Sequence, residues 1–151
     1  MESGSYQSRA LVVDDHPNWC KSLRRVLVQA GYSVEVVSSR EEALQLLESC
    51  VFDVAVVDMV LEKGRPSTYE GVRLLQDSEP IRRERGTQAI LLTGHDAPDY
   101  VREQLAQLDL IACLHKHEWN RQTFLAAVQK GAKKAQAARR TKGSGNVKDG
   151  S

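Results

Sequence analysis

The chain reads as an α/β domain, a five-stranded parallel sheet with helices on both faces, and three observations point there. Residues 10–13, 54–57, 89–92 and 110–114 are short, nearly continuous apolar runs, the pattern of strands buried on both faces. Segments with apolar residues at helical spacing lie between them, as crossover connections between parallel strands require. Each run also stops abruptly at a polar group: Asp14-Asp15, Asp58, Thr93 and His115-Lys116. In open α/β sheets, chemistry collects beyond the carboxyl ends of the strands.

In chain order, the first run leads into Pro17-Asn18-Trp19-Cys20, which opens a helix. Its inward stripe is Trp19, Leu23, Val26, Leu27 and Ala30, and Gly31 is suited to end it. Residues 33–37 alternate like a strand near a sheet edge. Ser39-Arg40-Glu41-Glu42 is a capping box for a second helix carrying Leu44, Leu46 and Leu47. The central strand ends at Asp58. Residues 59–70 read as an irregular, mobile connection with few anchors, broken by Gly64, Pro66, Ser67 and Thr68. A helix is expected over residues 71–77, with Pro80 ending or redirecting it because proline lacks the amide hydrogen. Asp96 is placed to cap the next helix, with Pro98 in its first turn and Val101, Leu105 and Leu108 facing inward. The last helix begins near Trp119 and turns Phe124, Leu125 and Val128 to the core.

Composition sets the class. With 151 residues, 41% hydrophobic and 27% charged, the chain fits one soluble globular domain. No apolar run approaches the roughly 20 residues of a membrane span, and the first residues lack a secretory apolar core. Cys20, Cys50 and Cys113 form no CxxC pair and imply neither disulfides nor zinc, so the cytoplasm is the expected compartment. From Gln129 onward the chain carries seven Lys or Arg and one Asp, against 14 basic and 19 acidic residues before it. The partition expected is an N-terminal tail over residues 1–8, a folded domain over 9–138 and a flexible basic tail over 139–151. Charge alone gives that tail little claim on nucleic acid.

An acid pair, an acid, a hydroxyl and an amine, in that order on successive strand ends, resemble the response-regulator receiver domains of two-component signalling. The resemblance covers roughly residues 8–130. It implies the flavodoxin-like strand order 2-1-3-4-5, and a phosphoacceptor role for Asp58. Phosphoryl transfer needs an oxygen nucleophile and compensation for charge on the transferred oxygens. Crowded carboxylates resist ionisation unless a cation intervenes, and a hard divalent ion such as Mg²⁺ supplies it. The resemblance assigns its ligands to Asp15, Asp58 and the Val60 backbone carbonyl, with Asp14 in the outer shell. It implies that Lys116 pairs with Asp58, that the Thr93 hydroxyl reaches a phosphoryl oxygen, and that Gly94 leaves room for the group. The donor would be a histidine kinase or a histidine phosphotransfer protein. The signal would leave through helix 4, strand 5 and helix 5 to a further protein.

Each residue also has a structural reading. Asp14-Asp15 could cap a helix, Thr93 could be a buried β-branched residue, and Lys116 could snorkel at the surface. His95, His115 and His117 lie near the same strand ends and could suggest a transition-metal site, but His115 and His117 alternate on extended backbone and should point apart, so surface or loop histidines are the expected reading. Cys113 is expected as a small core hydrophobe. The chain departs from the receiver pattern in three places. His117 replaces the proline after the lysine, so the Lys116–His117 bond is expected trans. Cys113 stands where receivers often carry an aromatic ring, and the connection after Asp58 is longer than usual. Two alternatives follow: a receiver-like interaction module that works without phosphorylation, and a phosphohydrolase. The second lacks the Asp that dehalogenase-type phosphatases carry two residues after the nucleophile, because Val60 is there. With no output domain after the last helix, the chain reads as a stand-alone receiver or one cut from a longer protein.

Overall fold

The computed structural model describes residues 7–61 and 69–149, with side chains described to residue 141. Its elements are β1 (Arg9–Val13), α1 (Pro17–Gln29), β2 (Ser33–Val37), α2 (Arg40–Ser49), β3 (Val54–Val57), α3 (Glu70–Arg85), β4 (Gln88–Thr93), α4 (Asp99–Ala106), β5 (Leu110–His115) and α5 (Arg121–Asp149). A single 3₁₀ turn, Lys116–Glu118, separates β5 from α5. All strands are parallel, in the order β2-β1-β3-β4-β5.

Alternating side chains divide the core into two layers. Leu11, Val13, Ala55 and Val57 face α2, α3 and α4, through Leu47, Leu74, Leu75 and Val101. Ala10, Val12, Val54 and Val56 face α1 and α5, through Leu23, Leu27, Phe124 and Val128. Strand ends are brought level by register: Val13 pairs with both Val37 and Val57, and Val57 with Leu91. Between β4 and β5 the register slips, Ala89 pairing with Leu110 but Ile90 with Ala112. That one-residue irregularity sets His115, not Leu114, opposite Thr93, so Lys116 emerges directly at the sheet's edge.

Several local expectations hold. Gly31 takes φ 97° just after α1, where a side chain would be strained. The Ser39 hydroxyl accepts the Glu42 amide as the capping box requires, but the Glu42 carboxylate takes the Ser38 amide, at 3.3 Å, and not that of Ser39.

Others are corrected. α3 passes straight through Pro80 to Arg85. Buried Arg82 donates Nη2 to the Leu75 carbonyl at 2.8 Å and Nε to Ser78 Oγ at 3.0 Å. These bonds brace the turn in which proline supplies no amide, and Leu74 and Leu75 hold it to the core. α4 begins at Asp99, with Pro98 rather than Asp96 at its N-cap and no side-chain cap. Cys113 is exposed, not a core residue. His115 and His117 do not point apart: the 3₁₀ turn breaks the alternation and their rings stack with centroids 6.0 Å apart.

The stretch after Asp58 is better anchored than expected at its start, since Met59, Val60 and Leu61 are all buried. The expected mobile excursion, with Gly64, Pro66, Ser67 and Thr68, lies outside the described residues. The helical backbone of α5 continues past residue 139 to Asp149, where composition indicated a flexible tail. Arg139 donates to the carbonyls of Arg85 and Phe52 and pairs with buried Asp53 at 2.6 Å. Among the described residues no helix is long and apolar enough to cross a membrane.

Candidate functional site

The level strand ends bring the acids together. The Asp58 amide donates to the Val13 carbonyl at 2.9 Å, placing β3's last carboxylate beside Asp14 and Asp15 at the end of β1. Asp58 and Asp14 are almost completely buried, with Lys116 close behind. Lys116 Nζ lies 2.8 Å from Asp14 Oδ2 and 3.0 Å from Asp58 Oδ2, so one cation serves two carboxylates. Its ammonium also sits 5.1 Å from the centroid of the Trp19 ring. The Val60 amide donates to Asp58 Oδ1 at 3.3 Å.

Burial raises the Asp58 carboxyl above its ordinary range; Lys116 opposes that shift and Asp14 adds to it. The Val60 amide and the Lys116 hydrogen bond also pull it back. A partly neutralised acid cluster of this kind accommodates a further cation. Asp15 supplies the best mark of one. Its Oδ1 is buried without a hydrogen-bond partner among the described residues. A hard divalent ion taking carboxylate oxygens answers that deficit, and Asp14, Asp15 and Asp58 fit it.

Thr93 is buried at the end of β4, and its Oγ1 accepts the His95 amide at 3.2 Å. Gly94 is less constrained than expected. A Cβ there would meet Lys116 Cδ at 3.7 Å, an ordinary contact. A cleft of about 380 Å³ opens beside the acids, lined by His16, Trp19, Gly94, His95, Lys116 and His117.

The sequence reading missed His16. Its Nδ1 lies 2.8 Å from Asp14 Oδ1, 3.2 Å from Asp15 Oδ1 and 3.5 Å from Asp58 Oδ2. The signal was its position, directly after the acid pair and before Pro17, where the chain turns back across the site. Gly71 was also passed over as an ordinary helix residue, although its Cα abuts the Asp58 carbonyl.

Known proteins carry the same frame. A receiver domain protein described as CheY-like, from Methanospirillum hungatei JF-1, superposes with a TM-score of 0.76 at 23% identity, over 87% of this chain and 98% of that one. A response regulator from Burkholderia pseudomallei, solved with a phosphorylated aspartic acid, calcium ion and citrate, gives 0.68 at 26% identity, over 89% and 74%. A response regulator receiver protein of Anaeromyxobacter sp. (strain Fw109-5) is 30% identical over 108 residues, 72% of this chain and 42% of the relative. Response regulator MprA of Mycolicibacterium vanbaalenii is 35% identical over 102 residues, 67% and 39% respectively. The chain thus spans about two fifths of the length of these two curated relatives. The family described as response regulator receiver domain matches residues 10–129, from β1 into α5. With that family's sheet order and an acidic pocket at the strand ends, the chain belongs to the receiver domains of two-component signalling, a signalling module rather than an enzyme.

Proposed function

We propose that the domain accepts a phosphoryl group on Asp58 from a histidine kinase or histidine phosphotransfer protein, in the cytoplasm. The observation that carries the reading is the Asp58 carboxylate, buried at the end of β3 and held 3.0 Å from Lys116 Nζ among two further acids. An Asp58 oxygen would attack phosphorus, forming a P–O bond as the P–N bond of phosphohistidine breaks, and the departing imidazole takes up a proton. Asp15, Asp58 and the Val60 carbonyl would hold Mg²⁺, with Asp14 in its outer shell, and the ion would offset charge on the transferred oxygens. Lys116 would follow the negative charge from the carboxylate to the phosphoryl group, and the Thr93 hydroxyl would donate to one of its oxygens. Support comes from the Burkholderia pseudomallei regulator, whose structure holds a phosphorylated aspartic acid.

The test is labelling with acetyl phosphate and Mg²⁺. One phosphoryl group should be gained, and none in the presence of EDTA. Exposed Cys113, in place of an inward-turning ring, favours the alternative of an interaction module that needs no phosphate. A wild-type protein that stays unlabelled by both acetyl phosphate and a phosphorylated kinase would support that alternative.

A further inference from the structure

We propose that His16 is a nitrogen ligand of the acidic site and turns its preference from Mg²⁺ toward later first-row transition cations such as Co²⁺. The inference rests on the reading of that pocket as the domain's metal site. His16 Nδ1 and one oxygen each of Asp14, Asp15 and Asp58 all lie within 4.8 Å of one another. Donors about 2.0–2.2 Å from one ion are at most about 4.4 Å apart, so small side-chain movements would gather all four.

The ring is placed by its own contact, Nδ1 to Asp14 Oδ1 at 2.8 Å, and by the turn that carries it. His16 is the N-cap of α1 at φ −95°, ψ 110°, followed by Pro17 at the first helical position. Its amide donates to Asp14 Oδ1 at 2.9 Å, which ties the turn to the acid pair. Its side chain makes no capping bond to the helix. Nδ1 instead faces the carboxylates, where Asp15 Oδ1 lies 3.2 Å away yet accepts no hydrogen bond. An ion between them would satisfy that oxygen and take the imidazole lone pair in its Nε2–H tautomer.

The donor set decides the preference. Mg²⁺ favours oxygen ligands and retains much of its water, whereas imidazole suits the later first-row ions. With three carboxylates and one imidazole, affinity should follow the Irving–Williams order more steeply than an all-oxygen pocket would.

The test titrates wild type, His16→Ala and His16→Ser with Mg²⁺ and with Co²⁺, read by tryptophan fluorescence because Trp19 borders the site. The serine variant keeps a good helix N-cap, so loss of fold cannot be mistaken for loss of a ligand. We expect both variants to lose about ten-fold or more in Co²⁺ affinity while Mg²⁺ affinity changes less than about two-fold. Pulsed EPR of bound Mn²⁺ should show histidine nitrogen coupling in wild type and none in either variant. Unchanged Co²⁺-to-Mg²⁺ ratios, or no nitrogen coupling in wild type, would overturn the role of His16 alone. Wild type that binds none of the three ions would overturn the metal-site reading as well.

Discussion

Gly71 packs against the backbone of Asp58 so closely that a Cβ built on it would stand 1.7 Å from the Asp58 carbonyl oxygen. The Gly71 amide donates to the Met59 carbonyl at 3.0 Å, so the first turn of α3 fixes the backbone that presents the candidate phosphoacceptor. Gly71→Ala must therefore push β3 and α3 apart. We expect a loss of about 3 kcal/mol or more in urea unfolding. A near-neutral effect would mean that the contact gives way without cost.

Asp58 links the site to stability. Its folded pKa is raised, first by burial, so the folded protein binds this proton more readily than the unfolded chain. At neutral pH its charge therefore opposes folding. The penalty is relieved as pH falls through the raised value toward the ordinary ~3.9. Asp58→Asn removes the charge while Lys116 keeps Asp14 at 2.8 Å. Tm should rise by about 2–4 °C at neutral pH, with the gap to wild type narrowing on acidification. A lower Tm at neutral pH would show that Lys116 stabilises the ionised form more than burial opposes it.

Arg139 ties the far end of α5 to the base of the sheet. Asp53, fully buried, accepts the Arg9 amide at 2.8 Å and pairs with Arg139 at 2.6 Å. Arg139→Ala takes this cation from a buried carboxylate and should cost about 3 kcal/mol. Arg139→Lys should recover only part, because an ammonium cannot reproduce a planar fork that also reaches the Phe52 and Arg85 carbonyls. Chemical denaturation of both variants measures it, and equal stability of all three proteins would contradict it.

What was legible in the sequence follows from where one kind of signal dominates. Asp14, Asp15, Asp58 and Lys116 could be placed because each ends an apolar run, and parallel register brings such ends level. His16 could not, since it lies in a turn whose direction is set by Pro17 and by its amide bond to Asp14. Pro80 misled because local propensity was weighed without tertiary packing: buried Arg82 and the core contacts of Leu74 and Leu75 hold the helix through it. The basic composition around Arg139 concealed its long-range ion pair with Asp53. The register slip at Ala89–Ile90, which sets where Lys116 emerges, leaves no mark in periodicity.

The signal should leave the site through the β4–α4 loop. Thr93 Oγ1 accepts the His95 amide at 3.2 Å, so a hydroxyl that swings toward a phosphoryl group would release that amide. Beyond it, Tyr100 on α4 meets Tyr69 edge-on with ring centroids 6.2 Å apart. Tyr69 takes the left-handed φ of 47° at the N-cap of α3, next to the turn that packs on Asp58. On β5, exposed Cys113 is too small for a rotamer change to shift much packing. Hydrogen exchange with and without beryllofluoride should show changes over residues 93–100. Changes confined to β5 would contradict this route.

Asp58 itself should carry the phosphoryl group. The direct measurement is borohydride reduction of the protein after phosphorylation by acetyl phosphate and Mg²⁺, followed by peptide mass mapping. Reduction of an aspartyl phosphate yields homoserine. Homoserine should appear at position 58 and nowhere else, with no phosphoryl uptake by Asp58→Asn. Homoserine at position 14 or 15, or undiminished phosphorylation of Asp58→Asn, would contradict it.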